Sequence, residues 1–201
     1  QRQMCIRDSY KLKKYKHLIV SPHYTNNSVV RLINKEIENH KAGLNSGIRL
    51  KLNAITNFKM IEKLYEASCE GVPIKMIVRG ICCLIPGVKG MSENIEVISI
   101  VDKYLEHPRV YIFENNDSHK VYLSSADFMT RNIENRVEVA VPIYDTILQE
   151  EILDVFEITW NDNVKARRIN GPEQNIFVKG KGNETRSQWK IHDYYYEKSN
   201  K

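Results

Sequence analysis

Five polar side chains in this 201-residue sequence stand where they can bind or act on a phosphoryl group: Arg79, His107, Ser124, Asp127 and Arg136. Arg79 follows the apolar run 74–78, and its guanidinium is a rigid fork of donors matched to phosphate oxygens. Gly80 behind it lets the backbone turn and approach a ligand closely. The competing reading of Arg79 is an ion pair with a carboxylate at a strand end. His107 falls between a helix expected to end near Glu106 and a strand beginning near Arg109. Protonated, it suits phosphate binding or proton transfer; otherwise it caps the helix. Ser124 and Asp127 follow another apolar run, where small hydroxyls and backbone amides can cradle phosphoryl oxygens, although Asp127 equally fits a helix cap. Arg136 opens a further strand-like run and either reaches the same cleft or is a surface charge. No G-x-x-x-x-G-K-[ST] loop is present, so any phosphate site here is not a P-loop.

The elements that must position these residues alternate. Residues 17–21 form a short apolar run stopped by Pro22, which predicts a buried strand. Val29, Val30, Leu32, Ile33 and Ile37 recur at helical spacing over 26–41, and Gly43 and Gly47 end that helix. Residues 47–53 alternate apolar and polar side chains, the pattern of a half-buried strand. A second amphipathic helix is expected over 57–69 through Phe58, Ile61, Leu64 and Tyr65, and a strand over 74–78. This rhythm predicts an α/β fold with a largely parallel or mixed central sheet flanked by helices. Beyond an irregular stretch at 86–90 come a strand at 95–98, a short helix to about 106, and strands at 110–113 and 120–123 joined by the turn-rich 115–118. A strand at 136–141 and a helix at 145–160 follow, the helix turning Ile147, Leu148, Ile152, Leu153 and Phe156 inward. The polar stretch past 161, ending in Tyr194, Tyr195 and Tyr196, fits no element clearly.

Composition narrows the function classes. A chain with 42% hydrophobic and 27% charged residues describes a globular domain, and no apolar run is long enough to cross a bilayer. The formal charge of +5 lies in residues 1–16, where six cations face one acid; the remainder carries 24 of each sign. A broad basic surface for nucleic acid is therefore not expected, and an anion site must be built from a few converging residues. Cys5, Cys69, Cys82 and Cys83 have neither disulfide-framework nor zinc spacing and read as reduced, buried thiols of a cytoplasmic protein. Residues 1–9 match no element and no secretory signal, and read as a foreign leader.

Longer strings carry a resemblance. Leu18-Ile-Val-Ser-Pro22, Lys51-Leu-Asn53, the run from Gly71 through Arg79 to Gly87, Ser99-Ile-Val-Asp-Lys-Tyr-Leu-Glu-His107 and Lys120-Val-Tyr-Leu-Ser-Ser-Ala-Asp-Phe-Met-Thr-Arg-Asn132 resemble, in order, segments of the polyphosphate kinases. The similarity begins near residue 10 and fades after about 170. It implies a phospholipase D-like C-terminal domain over 10–170, a polar extension over 171–201, and a part in the reversible transfer of the terminal phosphate of ATP to polyphosphate. In that family the phosphate passes through a phosphohistidine with magnesium assisting. Arg79 and His107 match ATP-phosphate-contacting positions and Arg136 a further basic residue of the same tunnel. The resemblance also implies ATP, ADP and inorganic polyphosphate as ligands, and a homo-oligomer as the full-length enzyme. No histidine here stands in a His-x-Lys context, so the phosphorylated histidine and the Mg2+ ligands are expected upstream, and the chain alone is expected to turn over no ATP. The missing His-x-Lys likewise counts against a phospholipase D-like phosphodiesterase, and the balanced charge against a non-enzymatic nucleic-acid-binding module.

Overall fold

A computed structural model of the chain describes residues 15–170, 175–180 and 183–200; the stretch 1–9, read above as a leader, lies outside them. The described elements are β1 (Ile19–Val20), α1 (Thr25–Lys41), β2 (Ile48–Leu52), α2 (Phe58–Cys69), β3 (Ile74–Val78), β4 (Ile95–Ile100), β5 (Arg109–Phe113), β6 (Lys120–Ser124), β7 (Val139–Ile143), α3 (Thr146–Trp160), β8 (Ala166–Ile169), β9 (Asn175–Phe177) and α4 (Ser187–Ser199), with a π-helical turn at Arg131–Asn135. The strands form one sheet in the order β1-β7-β6-β5-β2-β3-β4-β8-β9. The sheet is mixed. Its parallel part is the β2–β3–β4 core, with Ile48 opposite Ile74 and Ile74 opposite Ile95. On either side the strands run antiparallel, β5, β6, β7 and β1 beyond β2 and β8 and β9 beyond β4. The strand–helix–strand rhythm suggested a larger parallel share; β1 instead leaves the helix-linked series and joins the antiparallel edge at β7.

Alternation along the strands builds two apolar faces. Leu50, Met76, Val97, Tyr111 and Phe113 pack beneath α1 and α2 with Val29, Ile33, Met60 and Leu64. Their neighbours Ile77, Ile98, Ile112 and Val121 face the other way, with Phe156 of α3. Fully burying one such side chain is worth about 1.5–3 kcal/mol, so these two layers hold the strand ends in place.

The side chains differ from the sequence reading in five places. Phe58 is 70% exposed; α2 buries Ile61 and Leu64 as expected, together with Met60 and Ala67, and leaves Tyr65 half-buried. Cys69 and Cys83 are exposed rather than buried. β2 is not half-exposed: Arg49 reaches Glu114 (2.5 Å) and Glu157 (3.1 Å), and Lys51 pairs with Glu106, so its polar residues are neutralised rather than solvated. On α3, Ile147 and Leu148 are exposed and only its later turns, with Phe156 and Thr159, are buried. Residues 101–108 form no helix. Asp102 accepts from the Lys103 amide (2.7 Å), and Gln188 of α4 both accepts from the Tyr104 amide (3.0 Å) and donates to the Tyr104 carbonyl (2.8 Å). Side chains thus take the backbone bonds a helix would need, and Pro108 disfavours helical backbone at residue 107.

The end of the chain braces that loop. Arg186 forms a two-pronged pair with Asp102 at 2.8 and 2.5 Å, which holds the Asp102 carboxyl below the usual carboxylate range. Asp162, fully buried, accepts from the amides of Val164, Lys165, Ala166 and Ser187 and so ties β8 to the start of α4. Tyr194 in α4 donates to Asp154 in α3 (3.0 Å). Among the described residues no helix is long and apolar enough to cross a membrane.

Candidate functional site

The carboxyl ends of β2, β3 and β6 and the start of β5 meet at one edge of the sheet, because β2 and β3 run parallel while β5 and β6 form an antiparallel hairpin beside them. Ligands of open α/β sheets collect at such an edge. The connection after β2 runs between the connections after β3 and β6. Ile55 donates to the Ile81 carbonyl (2.8 Å), and the amides of Thr56 and Asn57 donate to the Phe128 carbonyl at 2.9 and 2.8 Å. Asn57 also caps α2 through the Met60 amide (3.1 Å). Backbone thus packs on backbone: a Cβ at Gly80 would lie 2.9 Å from the Asn53 carbonyl oxygen.

Among the described residues Arg79 pairs with no carboxylate. Its Nε donates to Asn53 Oδ1 at 2.9 Å and its Nη2 to the same oxygen, so a neutral amide orients the guanidinium without cancelling its charge. The Arg79 Nη1 group is buried and has no hydrogen-bond partner among the described residues. A buried donor left unmade costs about 1–3 kcal/mol. An anionic ligand would relieve that cost.

His107 stands in the irregular loop before β5, with its side chain exposed. The helix-end argument for its charge therefore lapses. Its ring lies against Arg109, with Nδ1 2.8 Å from Nη1 and Nε2 3.1 Å from Nη2, while Nη1 also donates to the His107 carbonyl (3.1 Å). A neutral imidazole has only one acceptor nitrogen, so at most one of the two ring contacts is a hydrogen bond at a time.

Asp127 caps no helix. It is 3% exposed and accepts four bonds: from the amides of Asn53 (2.7 Å) and Ala54 (3.1 Å), and from Arg109 Nε (3.1 Å) and Nη2 (2.7 Å). Burial alone would push this carboxyl up, but Arg109 and the two amides outweigh it and hold it below the ordinary carboxylate value. Ser124 is likewise engaged internally. Its hydroxyl lies 3.0 Å from the Tyr111 hydroxyl, which itself donates to the Ala126 carbonyl (2.5 Å), and accepts from the Ala126 amide (3.0 Å).

Arg136 does not open β7. It follows the π-helical turn, three residues before the strand, and its amide donates to the Arg131 carbonyl (2.9 Å). Its side chain is exposed, and no ion pair or side-chain hydrogen bond engages it among the described residues. Shared partners, Asn53 and Arg109, therefore link Arg79, His107 and Asp127 at this edge. Ser124 is bonded instead to Tyr111 and the Ala126 amide, and no ion pair or side-chain hydrogen bond links Arg136 to the group among the described residues.

Sequence reasoning passed over Asn53 and Arg109. The signal for Arg109 was its two-residue spacing from His107 at the start of a strand, where alternate side chains share a face. Asn53 carried no comparable signal.

A family model, "Polyphosphate kinase C-terminal domain 2", matches residues 18–188. The chain is 48% identical to a polyphosphate kinase of Klebsiella pneumoniae over 190 residues, covering 94% of this chain and 28% of that protein. The crystal structure of polyphosphate kinase from Porphyromonas gingivalis matches at a TM-score of 0.91 and 40% identity, over 99% of this chain and 31% of that one. The chain thus spans under a third of the length of these relatives. Nuc, a phospholipase D family member from Salmonella typhimurium, shares the fold at a TM-score of 0.56 and 19% identity, over 77% of this chain and 97% of its own. A match that runs from β1 into α4 and takes in every candidate residue places this chain in the polyphosphate kinase C-terminal domain 2 family.

Proposed function

We propose that this chain forms one wall of the phosphoryl-transfer site of a polyphosphate kinase, a longer polypeptide that reversibly moves the terminal phosphate of ATP onto polyphosphate. The observation that carries the reading is Arg79: a guanidinium held at the sheet edge by a neutral amide, with a buried N–H group unmet. Phosphoryl transfer needs little from a protein beyond positioning and charge stabilisation, and a pre-oriented arginine supplies both. In this reading Arg79 and Arg136 neutralise phosphoryl oxygens, and His107 gives a hydrogen bond or proton to the bridging or transferred phosphate. The phosphohistidine is carried elsewhere in the longer polypeptide, so the 201-residue chain alone turns over no ATP.

The carboxylates at this edge do not fit a magnesium site. Asp127 is taken up by Arg109 and two amides, Glu106 by Lys51 and Gln188, and Glu138 by Ser125 and Asn132. Any Mg2+ that accompanies ATP would find its protein ligands outside the described residues. The same reading takes ATP, ADP and inorganic polyphosphate as ligands in preference to nucleic acid, and makes the full-length enzyme a cytoplasmic homo-oligomer. Its test is competitive retention: the immobilised chain should hold long-chain polyphosphate in preference to duplex DNA. Preference for DNA would sink the reading, as would ATP turnover by the purified chain.

A further inference from the structure

We propose that Asp127 is a positioning residue that sets His107 and Arg79 together, one through Arg109 and the other through Asn53. The inference rests on the reading of His107 and Arg79 as phosphate-binding groups. Asp127 sits in the connection after β6, and its four bonds reach two other strand ends. Toward β5 it grips Arg109 by Nε and Nη2, which leaves the outer edge of that guanidinium against the His107 ring and carbonyl. Toward β2 it pins the amides of Asn53 and Ala54, and Asn53 in turn presents its Oδ1 to Arg79. One carboxylate thereby ties together the ends of β2, β3, β5 and β6.

A buried ion pair is weak evidence of a device for stability alone, since an apolar pair of similar volume is often as stable. What the pair adds here is direction. Without the carboxylate, Arg109 keeps among the described residues only His107 itself as an acceptor, so nothing outside that loop fixes the surface the exposed His107 ring lies on. The two arms differ in what they hold, so they should fail differently. The Arg109 arm holds the exposed group proposed to act on the transferred phosphate, and its loss should appear in kcat. The Asn53 arm holds the group proposed to bind ground-state phosphate, and its loss should appear in KM.

The test uses the full-length polyphosphate kinase polypeptide that carries this domain, with kcat and KM for ATP and the melting temperature measured on the same samples. Asp127→Asn keeps the shape and the acceptor for the two amides but loses the charge facing Arg109. It should lower kcat about 10- to 100-fold, the scale of a misplaced catalytic group, with KM nearly unchanged. Asn53→Ser should instead raise KM. Combining Asp127→Asn with Arg109→Gln should cost no more than the worse single change, because both break one link. If Asp127→Asn does not fold, Arg109→Gln and Asn53→Ser test the two arms separately. A folded Asp127→Asn enzyme with wild-type kcat and KM overturns the proposal, and so does a loss that tracks the melting temperature across all variants without a kcat–KM split. Arg79→Ala and His107→Ala separate the two layers. If they abolish activity while Asp127→Asn leaves kcat and KM at wild type, positioning alone fails. If they leave activity intact, the phosphate-binding reading fails and takes the positioning with it.

Discussion

Replacing Asp127 by alanine should cost this chain a large part of its stability, and the cost should depend on pH. The Asp127 side chain is 4% exposed and that of Arg109 11%, so removing the carboxylate strands a nearly buried cation. Breaking one side of a buried pair costs about 3–5 kcal/mol. The amides of Asn53 and Ala54 lose their acceptor as well, at about 1–3 kcal/mol for each that water does not reach. Half-buried Asn53 can recruit water and Ala54 is buried, so a total of about 4–8 kcal/mol is expected for Asp127→Ala. That approaches the entire stability of many domains, about 5–15 kcal/mol. Asp127→Asn keeps an acceptor for the amides and should cost roughly half as much. Urea unfolding of the 201-residue chain reads both as shifts in midpoint at constant slope. The folded-state pKa of Asp127 lies below its unfolded value, so its contribution is complete well above the unfolded value of about 3.9 and is lost as pH falls through the folded one. The gap between wild type and Asp127→Asn should therefore be full at pH 7 and close as the pH drops below about 4. Losses under about 1 kcal/mol for both variants, or a gap independent of pH, would refute the buried-pair account.

Two further outcomes follow from other parts of the fold. Gly71 has φ +92°, and a Cβ there would lie 2.5 Å from His40 Nε2, whose ring also bonds Ser46 through Nδ1 (3.0 Å). Gly71→Ala should cost about 1–3 kcal/mol and lower the melting temperature by several degrees, while an unchanged melting temperature would contradict the packing of α1 on that turn. Burial pushes the Cys82 thiol up to about 11, so its thiolate is scarce at neutral pH. Iodoacetamide at pH 7.5 should label the exposed Cys69 and Cys83 well before Cys82 by peptide mass spectrometry; equal rates at Cys82 and Cys83 would contradict the burial of Cys82.

Much of the scaffold was legible because local patterns carry it. The apolar spacing of α1 and the apolar run of β3, broken only by Lys75, fix an element type without reference to the rest of the chain. Where tertiary contacts decide, the pattern misled. Residues 101–108 gave up helix for bonds to Gln188 and Asp102, and Gln188 lies more than eighty residues downstream. β2 looked half-exposed because Arg49 and Lys51 alternate with leucines, yet acids from three distant positions, Glu106, Glu114 and Glu157, neutralise its face and the neighbouring Lys75. At the site, Arg79 was legible as a guanidinium at a strand end, while its orienting partner was not, because a lone Asn53 after a strand has no distinctive spacing. The link from Asn53 to Asp127 crosses 74 residues, and only the sheet order brings them together.

In the proposed function, Arg79 offers phosphate a pre-oriented, uncancelled charge at the sheet edge. Calorimetric titration of the chain with inorganic tripolyphosphate, wild type against Arg79→Ala, tests it most directly. A charge-assisted hydrogen bond is worth about 1.5–3 kcal/mol, so the variant should bind roughly 10- to 100-fold more weakly with its melting temperature little changed. Equal affinity in the two proteins would contradict the account.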